Sequence, residues 1–132
     1  MEVRKRIEIR WRDLDSFGHV NNAVYLTYLE EVRDEWLKDA LPEEGSVWDF
    51  VVARVAIDFR RELREDDAHV TASCRLLRIG RSSIVTHEDV RTIPGELAAE
   101  AEAVLVARDP QTGFARPLKP TEHEAFSRMI EP

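Results

Sequence analysis

Several features that would point to other protein classes are missing from the sequence. A single cysteine excludes a disulfide within the chain. No apolar run approaches the roughly 18 residues that a membrane-spanning helix needs, and no apolar stretch follows the basic N-terminal residues, as it would in a secretion signal. Positive charge is not in excess, because 19 Lys and Arg stand against 26 Asp and Glu, giving a formal net charge of −7. These absences predict a cytoplasmic protein that binds neither nucleic acid nor membranes.

What is present is the composition of one ordinary globular domain. The chain has 132 residues, of which 43% are hydrophobic and 34% are charged. That length suffices for one hydrophobic core without covalent cross-links, and neither internal repeats nor a linker interrupts the sequence. We therefore expect a single domain over residues 1–132.

The first half of the chain predicts a strand, a polar loop and a long helix. Apolar residues alternate with charged ones over residues 3–12, with Trp11 on the apolar side, which is typical of a half-buried strand. The loop over residues 13–22 ends in Asn21 and Asn22, two residues that favour a helix N-cap. An apolar face with helical spacing follows and ends near the Leu41-Pro42 pair; its members are Tyr25, Leu29, Val32 and Trp36.

The second half predicts four strands and a short terminal helix. Alternation after Phe50 puts Val51 and Ala53 on the same face as Val55, and similar patterns cover residues 70–77 and 83–92. Residues 97–108 mix helix-forming alanine with strand-forming valine, and the regular strand spacing favours a strand. Thr121 and Glu124 have the spacing of a capping box for the last helix. The expected architecture is α+β, an antiparallel five-stranded sheet packed on one long helix, with exposed edges that favour self-association.

The chemistry concentrates in the segment from Asp13 to Tyr25, which reads DLDSFGHVNNAVY. A helix N-terminus presents unpaired N–H groups and a partial positive charge, which can polarise a carbonyl oxygen. A carboxylate just upstream could attack that carbonyl or activate a water molecule. The pattern thus suggests acyl transfer to water, with the alternative that these residues serve only as caps and turn formers.

The same residues resemble the signature of hotdog-fold acyl-CoA thioesterases of the 4-hydroxybenzoyl-CoA thioesterase type. Asp15-Ser16-Phe17-Gly18 matches the D-x-x-G loop of that family, and the following HVNN is similar to the loop of plant acyl-carrier-protein thioesterases. The segment from Tyr25 to Glu31 matches Y-x-x-x-L-E-E, and residues 78–83 (RIGRSS) look like the family's R-I-G-x-S-S turn. The resemblance covers the whole chain and implies a five-stranded antiparallel sheet wrapped around one central helix.

The resemblance also implies roles for individual residues. Asp15 would be the catalytic nucleophile or general base, the backbone N–H of Asn22 would polarise the thioester carbonyl, and His19 would support the substrate or the attacking water. Further residues are expected to contact the substrate, namely Gly18, Tyr25, Gly80, Arg81, Ser82 and Ser83. The acyl-CoA substrate would be hydrolysed without a cofactor or a metal, at sites on the interface of a homodimer or homotetramer. A non-catalytic module that binds acyl-CoA or another apolar ligand is the alternative.

Three other residues outside these motifs also carry expectations. Cys74 lies on a predicted strand, where a buried structural thiol is the expected role. Asp13 lies two residues before Asp15, and such a pair of carboxylates could raise one pKa, but Asp13 is expected to be a solvated turn residue. Trp48 lies in a loop after the long helix and is expected in the core or at an interface, although it could instead line an acyl pocket.

Overall fold

The fold is one antiparallel sheet packed against one long helix. The computed structural model describes residues 1–43 and 45–130. Its elements in chain order are β1 (Glu2–Glu8), α1 (Asn22–Ala40), β2 (Phe50–Phe59), β3 (His69–Ile79), β4 (Ser83–Thr92), β5 (Leu97–Ala107) and α2 (Pro120–Ser127). The sheet has the order β1-β3-β4-β5-β2, and all neighbouring strands are antiparallel. This architecture confirms the predicted α+β hotdog fold.

Helix α1 begins and ends where the sequence predicts. The side chain of Asn21 caps it by accepting a hydrogen bond from the backbone N–H of Ala23 at 2.9 Å. The predicted apolar face is buried against β1, β3 and β4. Because α1 lies over these three strands, the helix-facing side of the edge strand β2 stays partly open, and Val52 and Phe59 are each 46% exposed.

Strand β2 differs from its prediction in which residues face the helix. Its register with β5 shifts between Val52 and Arg54. This bulge accommodates Ala53 as an extra residue, so the alternation restarts and Val52 rather than Ala53 shares a face with Val55. The assignment of Val51 and Ala53 to the same face as Val55 was therefore wrong, because a bulge leaves little trace in a run of valines and alanines.

Both ends of the chain also correct an expectation. Strand β1 stops at Glu8, and Trp11 begins a single 3₁₀ turn in which its side chain is 81% exposed. Helix α2 begins at Pro120, and its N-cap lies two residues before the predicted N-cap Thr121, so the predicted capping box of Thr121 and Glu124 was wrong. The carboxylate of Glu122 accepts a hydrogen bond from the backbone N–H of Lys119 at 2.8 Å, so Lys119 occupies the N-cap position.

The core contains an ion pair that joins α1 to the middle of the sheet. Arg33 donates two hydrogen bonds to Glu88, at 2.8 and 2.7 Å, and neither side chain is more than 5% exposed. The hydroxyl of Thr86 donates a third bond to Glu88 at 2.7 Å. Cys74 lies beside this carboxylate, and burial raises the pKa of its thiol well above the ordinary range. Cys74 is thus a buried structural thiol, as predicted.

Candidate active site

The loop between β1 and α1 is fixed by a tight turn. The backbone N–H of Gly18 donates to the carbonyl of Asp15 at 3.1 Å, and the N–H of Asp15 donates to the carbonyl of His19 at 2.7 Å. Gly18 has φ +79, a left-handed conformation that side chains other than glycine rarely adopt. The N–H of Val20 then donates to the carbonyl of Leu63 at 2.8 Å, which ties the loop to the segment that precedes β3.

The carboxylate of Asp15 is held by this turn and stays partly exposed. Its Oδ1 accepts hydrogen bonds from the backbone N–H groups of Phe17, at 2.9 Å, and His19, at 3.1 Å. Within residues 1–43 and 45–130, no hydrogen bond reaches its Oδ2. One oxygen therefore sets the orientation of the carboxylate, and the other can accept a proton or attack an electrophile.

The N-terminus of α1 lies a few residues beyond this carboxylate. The side-chain oxygen of Asn21 accepts a hydrogen bond from the N–H of Ala23, and its backbone carbonyl accepts one from the N–H of Val24. Asn22 is the first residue of the helix and is exposed. In the part of the chain that the structure describes, its backbone N–H donates no hydrogen bond. That donor, together with the helix dipole, can stabilise negative charge on a carbonyl oxygen.

Asp13 is buried within the loop, so its expected role as a solvated turn residue was wrong. It is only 5% exposed, and its Oδ2 accepts hydrogen bonds from the hydroxyl of Tyr28 at 2.8 Å and from the N–H of Arg10 at 2.9 Å. Burial and the bond to Asp13 raise the pKa of Tyr28 far above that of a free tyrosine. Asp13 thereby anchors the loop that carries Asp15 to α1.

His19 lies on the same loop and has a partner that the sequence did not reveal. Its Nε2 is 3.2 Å from the carboxylate of Glu62, and its backbone forms an isolated bridge with Arg64. This contact can orient the imidazole beside the turn that carries Asp15. Glu62 lies more than 40 positions along the chain in a charged connection, and no motif marked it.

Tyr25 lies beneath the loop rather than on its surface. It is 2% exposed, its hydroxyl donates to the carbonyl of Arg61 at 3.2 Å, and burial raises its pKa. Its ring meets Phe59, at the end of β2, edge-on with 5.1 Å between the ring centroids. Phe59 therefore marks the point where the open edge of the sheet approaches the site.

The Gly80–Ser83 turn lies at the opposite end of the sheet from Asp15 in the same chain. The Asp15 loop is tied to the segment just before β3, whereas the turn follows the last residue of β3. The 11 residues of β3 span about 33 Å, at a rise of about 3.3 Å per residue. One chain thus brings together Asp15, Gly18, His19, Asn22 and Tyr25, but not the turn with Gly80, Arg81, Ser82 and Ser83.

The buried pair of Arg33 and Glu88 also escaped the sequence interpretation, although the pattern carried a signal for it. Arg33 falls four residues after Leu29 on the apolar face of α1, and Glu88 alternates with Val90 on the helix-facing side of β4. Charged residues at such positions indicate a buried pair.

Across residues 1–43 and 45–130, no group of three or more His, Cys, Asp or Glu is arranged to hold a metal ion. Over the same residues, no helix is long and apolar enough to cross a membrane.

Comparison with known proteins gives the class to which this fold and loop belong. A model of the thioesterase-like superfamily matches residues 9–127. The chain therefore belongs to the thioesterase-like superfamily, and it is an enzyme of the thioesterase class.

Individual relatives agree with that membership. The long-chain acyl-CoA thioesterase FadM of Escherichia coli is 29% identical, over 98% of this chain and 100% of its own length. A thioesterase from Thermus thermophilus, solved with coenzyme A and Zn, is 35% identical over 93% of this chain and 95% of that chain, with a TM-score of 0.82. A predicted thioesterase from Bacillus stearothermophilus has a TM-score of 0.87 at 22% identity, over 99% of this chain and 98% of that chain, and supports the fold alone.

Proposed function

We propose that this enzyme hydrolyses an acyl-CoA thioester to the free acid and CoA, with Asp15 as the catalytic carboxylate. The observation that carries the proposal is a carboxylate fixed through one of its oxygens, a few residues before a helix whose first N–H, that of Asn22, has no acceptor among the described residues. The names of two relatives support the substrate class, because one is a long-chain acyl-CoA thioesterase and another was solved with coenzyme A.

The reaction can begin in either of two ways. As a nucleophile, Asp15 attacks the thioester carbon, the C–S bond breaks with release of CoA thiolate, and water hydrolyses the resulting anhydride. As a general base, Asp15 takes a proton from a water molecule whose oxygen attacks the same carbon, and the C–S bond then breaks with release of CoA thiolate. In both cases the N–H of Asn22 stabilises the carbonyl oxygen as it becomes negative. A thiolate with a pKa of about 8.5 leaves readily near neutral pH, so no strong general acid is needed.

The remaining residues act around this centre. His19, oriented by Glu62, supports the substrate or the attacking water. Gly18 lets the substrate approach the backbone of the turn, and Tyr25 forms the floor under the site with Phe59. The location of the enzyme in the cytoplasm stays a prediction.

The proposed assembly is a homodimer, or a pair of such dimers, with the active sites at the subunit interface. Strand β2 supports it, since it is an edge strand whose apolar side chains Val51, Val52 and Phe59 are exposed. A free, apolar strand edge readily pairs with another chain. In such a dimer the Gly80–Ser83 turn of each subunit would lie along the CoA arm bound at the other subunit's Asp15.

The test is thiol release from short, long and aromatic acyl-CoAs by the wild type, Asp15→Asn and Asp39→Asn. The amide oxygen that replaces Oδ1 in Asp15→Asn can accept the same backbone hydrogen bonds, so the turn is expected to persist. Asp39 is an exposed residue near the end of α1 and provides a control that loses the same charge. We expect wild type and Asp39→Asn to hydrolyse one acyl class equally well, and Asp15→Asn to lose about 100-fold or more. If the wild type binds CoA esters but releases no thiol from any of them, the enzyme assignment for acyl-CoA fails in favour of a binding module.

A further inference from the structure

Two large aromatic side chains are exposed at the end of the sheet that lies far from Asp15 in the same chain. Trp48 is 79% exposed and Phe114 is 76% exposed. Isolated apolar residues are common on surfaces, but two large aromatic rings at one end of a sheet indicate a contact that the single chain does not make.

Backbone hydrogen bonds hold the segments that carry the two rings beside each other. The N–H of Arg108 donates to the carbonyl of Asp49 at 2.8 Å, and the N–H of Asp109 donates to the carbonyl of Phe114 at 2.8 Å. The 3₁₀ turn Val47–Asp49, which includes Trp48, packs against α1. Trp48 is thus on the helix side of the sheet, the same side as the loop that carries Asp15.

The free edge of β2 determines which part of a second copy would approach these rings. Two copies of one edge strand that pair about a two-fold axis perpendicular to the sheet must run antiparallel, with both helices on the same face. The beginning of β2, at Phe50, then meets the end of the same strand, at Phe59 of the partner subunit. Since Phe59 contacts Tyr25 beneath the Asp15 loop in each chain, the segments with Trp48 and Phe114 come next to the other subunit's site.

We propose that Trp48 and Phe114 form an apolar wall of the acyl pocket whose catalytic Asp15 belongs to the other subunit. This inference rests on the proposed function and deepens it, because it names the residues that determine acyl selectivity and the acyl class that they favour. Two large rings offer apolar contact to a long or aromatic acyl chain and little to an acetyl group. The enzyme therefore prefers bulky apolar acyl groups, and each subunit sets the preference of its neighbour.

The first test compares single variants by their ratio of kcat/KM for the best long or aromatic acyl-CoA to that for acetyl-CoA. Trp48→Ala and Phe114→Ala are each expected to lower this ratio by about tenfold or more, since lost apolar contact in a pocket changes selectivity by about 10- to 200-fold. Gln111→Ala is the matched control, because Gln111 is an exposed residue on the same loop as Phe114. An unchanged ratio in both aromatic variants would overturn the proposal.

The second test uses mixed dimers, purified through two different tags, to ask which subunit supplies the wall. In the first dimer, one chain carries Asp15→Asn and the other carries Trp48→Ala and Phe114→Ala. The only intact Asp15 then faces intact rings from its neighbour, and we expect wild-type selectivity. In the second dimer, one chain carries all three substitutions and the other is wild type, so the intact Asp15 faces the truncated rings and selectivity should fall as in the single variants.

The two tests separate failure of this inference from failure of the proposed function. If both mixed dimers keep wild-type selectivity, or if the two results are exchanged, the wall does not come from the neighbouring subunit. If instead the Asp15→Asn homodimer is as active as the wild type, the catalytic assignment fails. Gel filtration of each single variant against the wild type shows whether the subunits still associate.

Discussion

Asp15 and Glu88 are both carboxylates beside α1, but their surroundings give them opposite roles. Glu88 is fully buried, and both of its oxygens accept hydrogen bonds from Arg33, with a further bond from Thr86. Asp15 is partly exposed, and among the residues that the structure describes only one of its oxygens accepts hydrogen bonds, both from its own turn. A carboxylate whose hydrogen bonds are complete stabilises the fold, whereas one that is oriented but incomplete can react with a substrate.

The largest effect is expected when the charge is removed from the buried carboxylate of Glu88. Glu88→Gln leaves the guanidinium of Arg33 buried without its counter-charge, which is expected to lower the free energy of unfolding by about 3–5 kcal/mol. Urea denaturation followed by tryptophan fluorescence measures this loss. Combining Arg33→Met with Glu88→Leu removes both charges and should recover most of it. A loss under about 1 kcal/mol in Glu88→Gln would show that the pair is not a structural element.

The carboxylate of Glu122 should behave like Glu88 and adds a dependence on pH. It is 2% exposed; burial alone would raise its pKa, but hydrogen bonds from Arg116, at 2.8 and 3.0 Å, and from the N–H of Lys119 lower it. The lowered pKa contributes stability that is fully present above the ordinary value of about 4.5 and is lost as the pH falls through the folded-state pKa.

Glu122→Gln is therefore expected to lower the free energy of unfolding at pH 7 by about 1.5–3 kcal/mol and to flatten its decline below about pH 4.5. Urea denaturation at a series of pH values checks both effects. Glu124→Gln removes an exposed carboxylate from the same helix, which pairs with Arg128 at 2.6 Å, and should cost under about 0.5 kcal/mol. Equal losses in the two variants would contradict the role of burial.

Asp13 is buried, as Glu88 is, but it lies in the loop that carries Asp15. Tyr28→Phe removes the hydroxyl that donates to buried Asp13, and we expect a loss of about 1–2 kcal/mol in stability, with a partial loss of kcat/KM because the Asp15 loop is less firmly held. Tyr25→Phe is the comparison, since its hydroxyl bonds a neutral carbonyl at the longer distance of 3.2 Å. Thermal unfolding and thiol release, measured on both variants, check the expectation. Full activity in a destabilised Tyr28→Phe would separate Asp13 from the positioning of the site.

The smallest expected effect is at the cap of α1. Asn21→Ala removes the acceptor for the N–H of Ala23 and should cost about 1 kcal/mol of stability. Because the freed end of the helix can fray, the N–H of Asn22 should be less well positioned, which lowers kcat more than it raises KM. Steady-state kinetics with the best acyl-CoA tests this division. A change in KM alone would indicate that this helix end binds substrate without stabilising the transition state.

Much of the fold followed from local patterns. The limits of α1 and β4 were predictable because caps, proline and alternation act over a few residues. The bulge at Ala53 was not, because it reflects how β2 pairs with a strand some 50 residues later. Trp11 is not part of the strand, because the side chain of Asp13 accepts a hydrogen bond from the backbone N–H of Arg10 and the chain turns there.

The candidate site divides in the same way. Asp15, Gly18 and Asn22 share one short loop, so the motif alone placed them together. The burial of Asp13 and the contact of His19 with Glu62 depend on segments that are distant in sequence. The relation of the Gly80–Ser83 turn to Asp15 depends on a second subunit, which no pattern within one chain determines.

The most direct test of the contrast between the two carboxylates is to measure both kcat/KM and the free energy of unfolding on one preparation of Asp15→Asn. We predict a loss in kcat/KM of about 100-fold or more, with a free energy of unfolding within about 0.5 kcal/mol of the wild type. Retained activity, or a loss of activity that is matched by a loss of several kcal/mol in stability, would contradict the assignment of Asp15 as the reacting carboxylate.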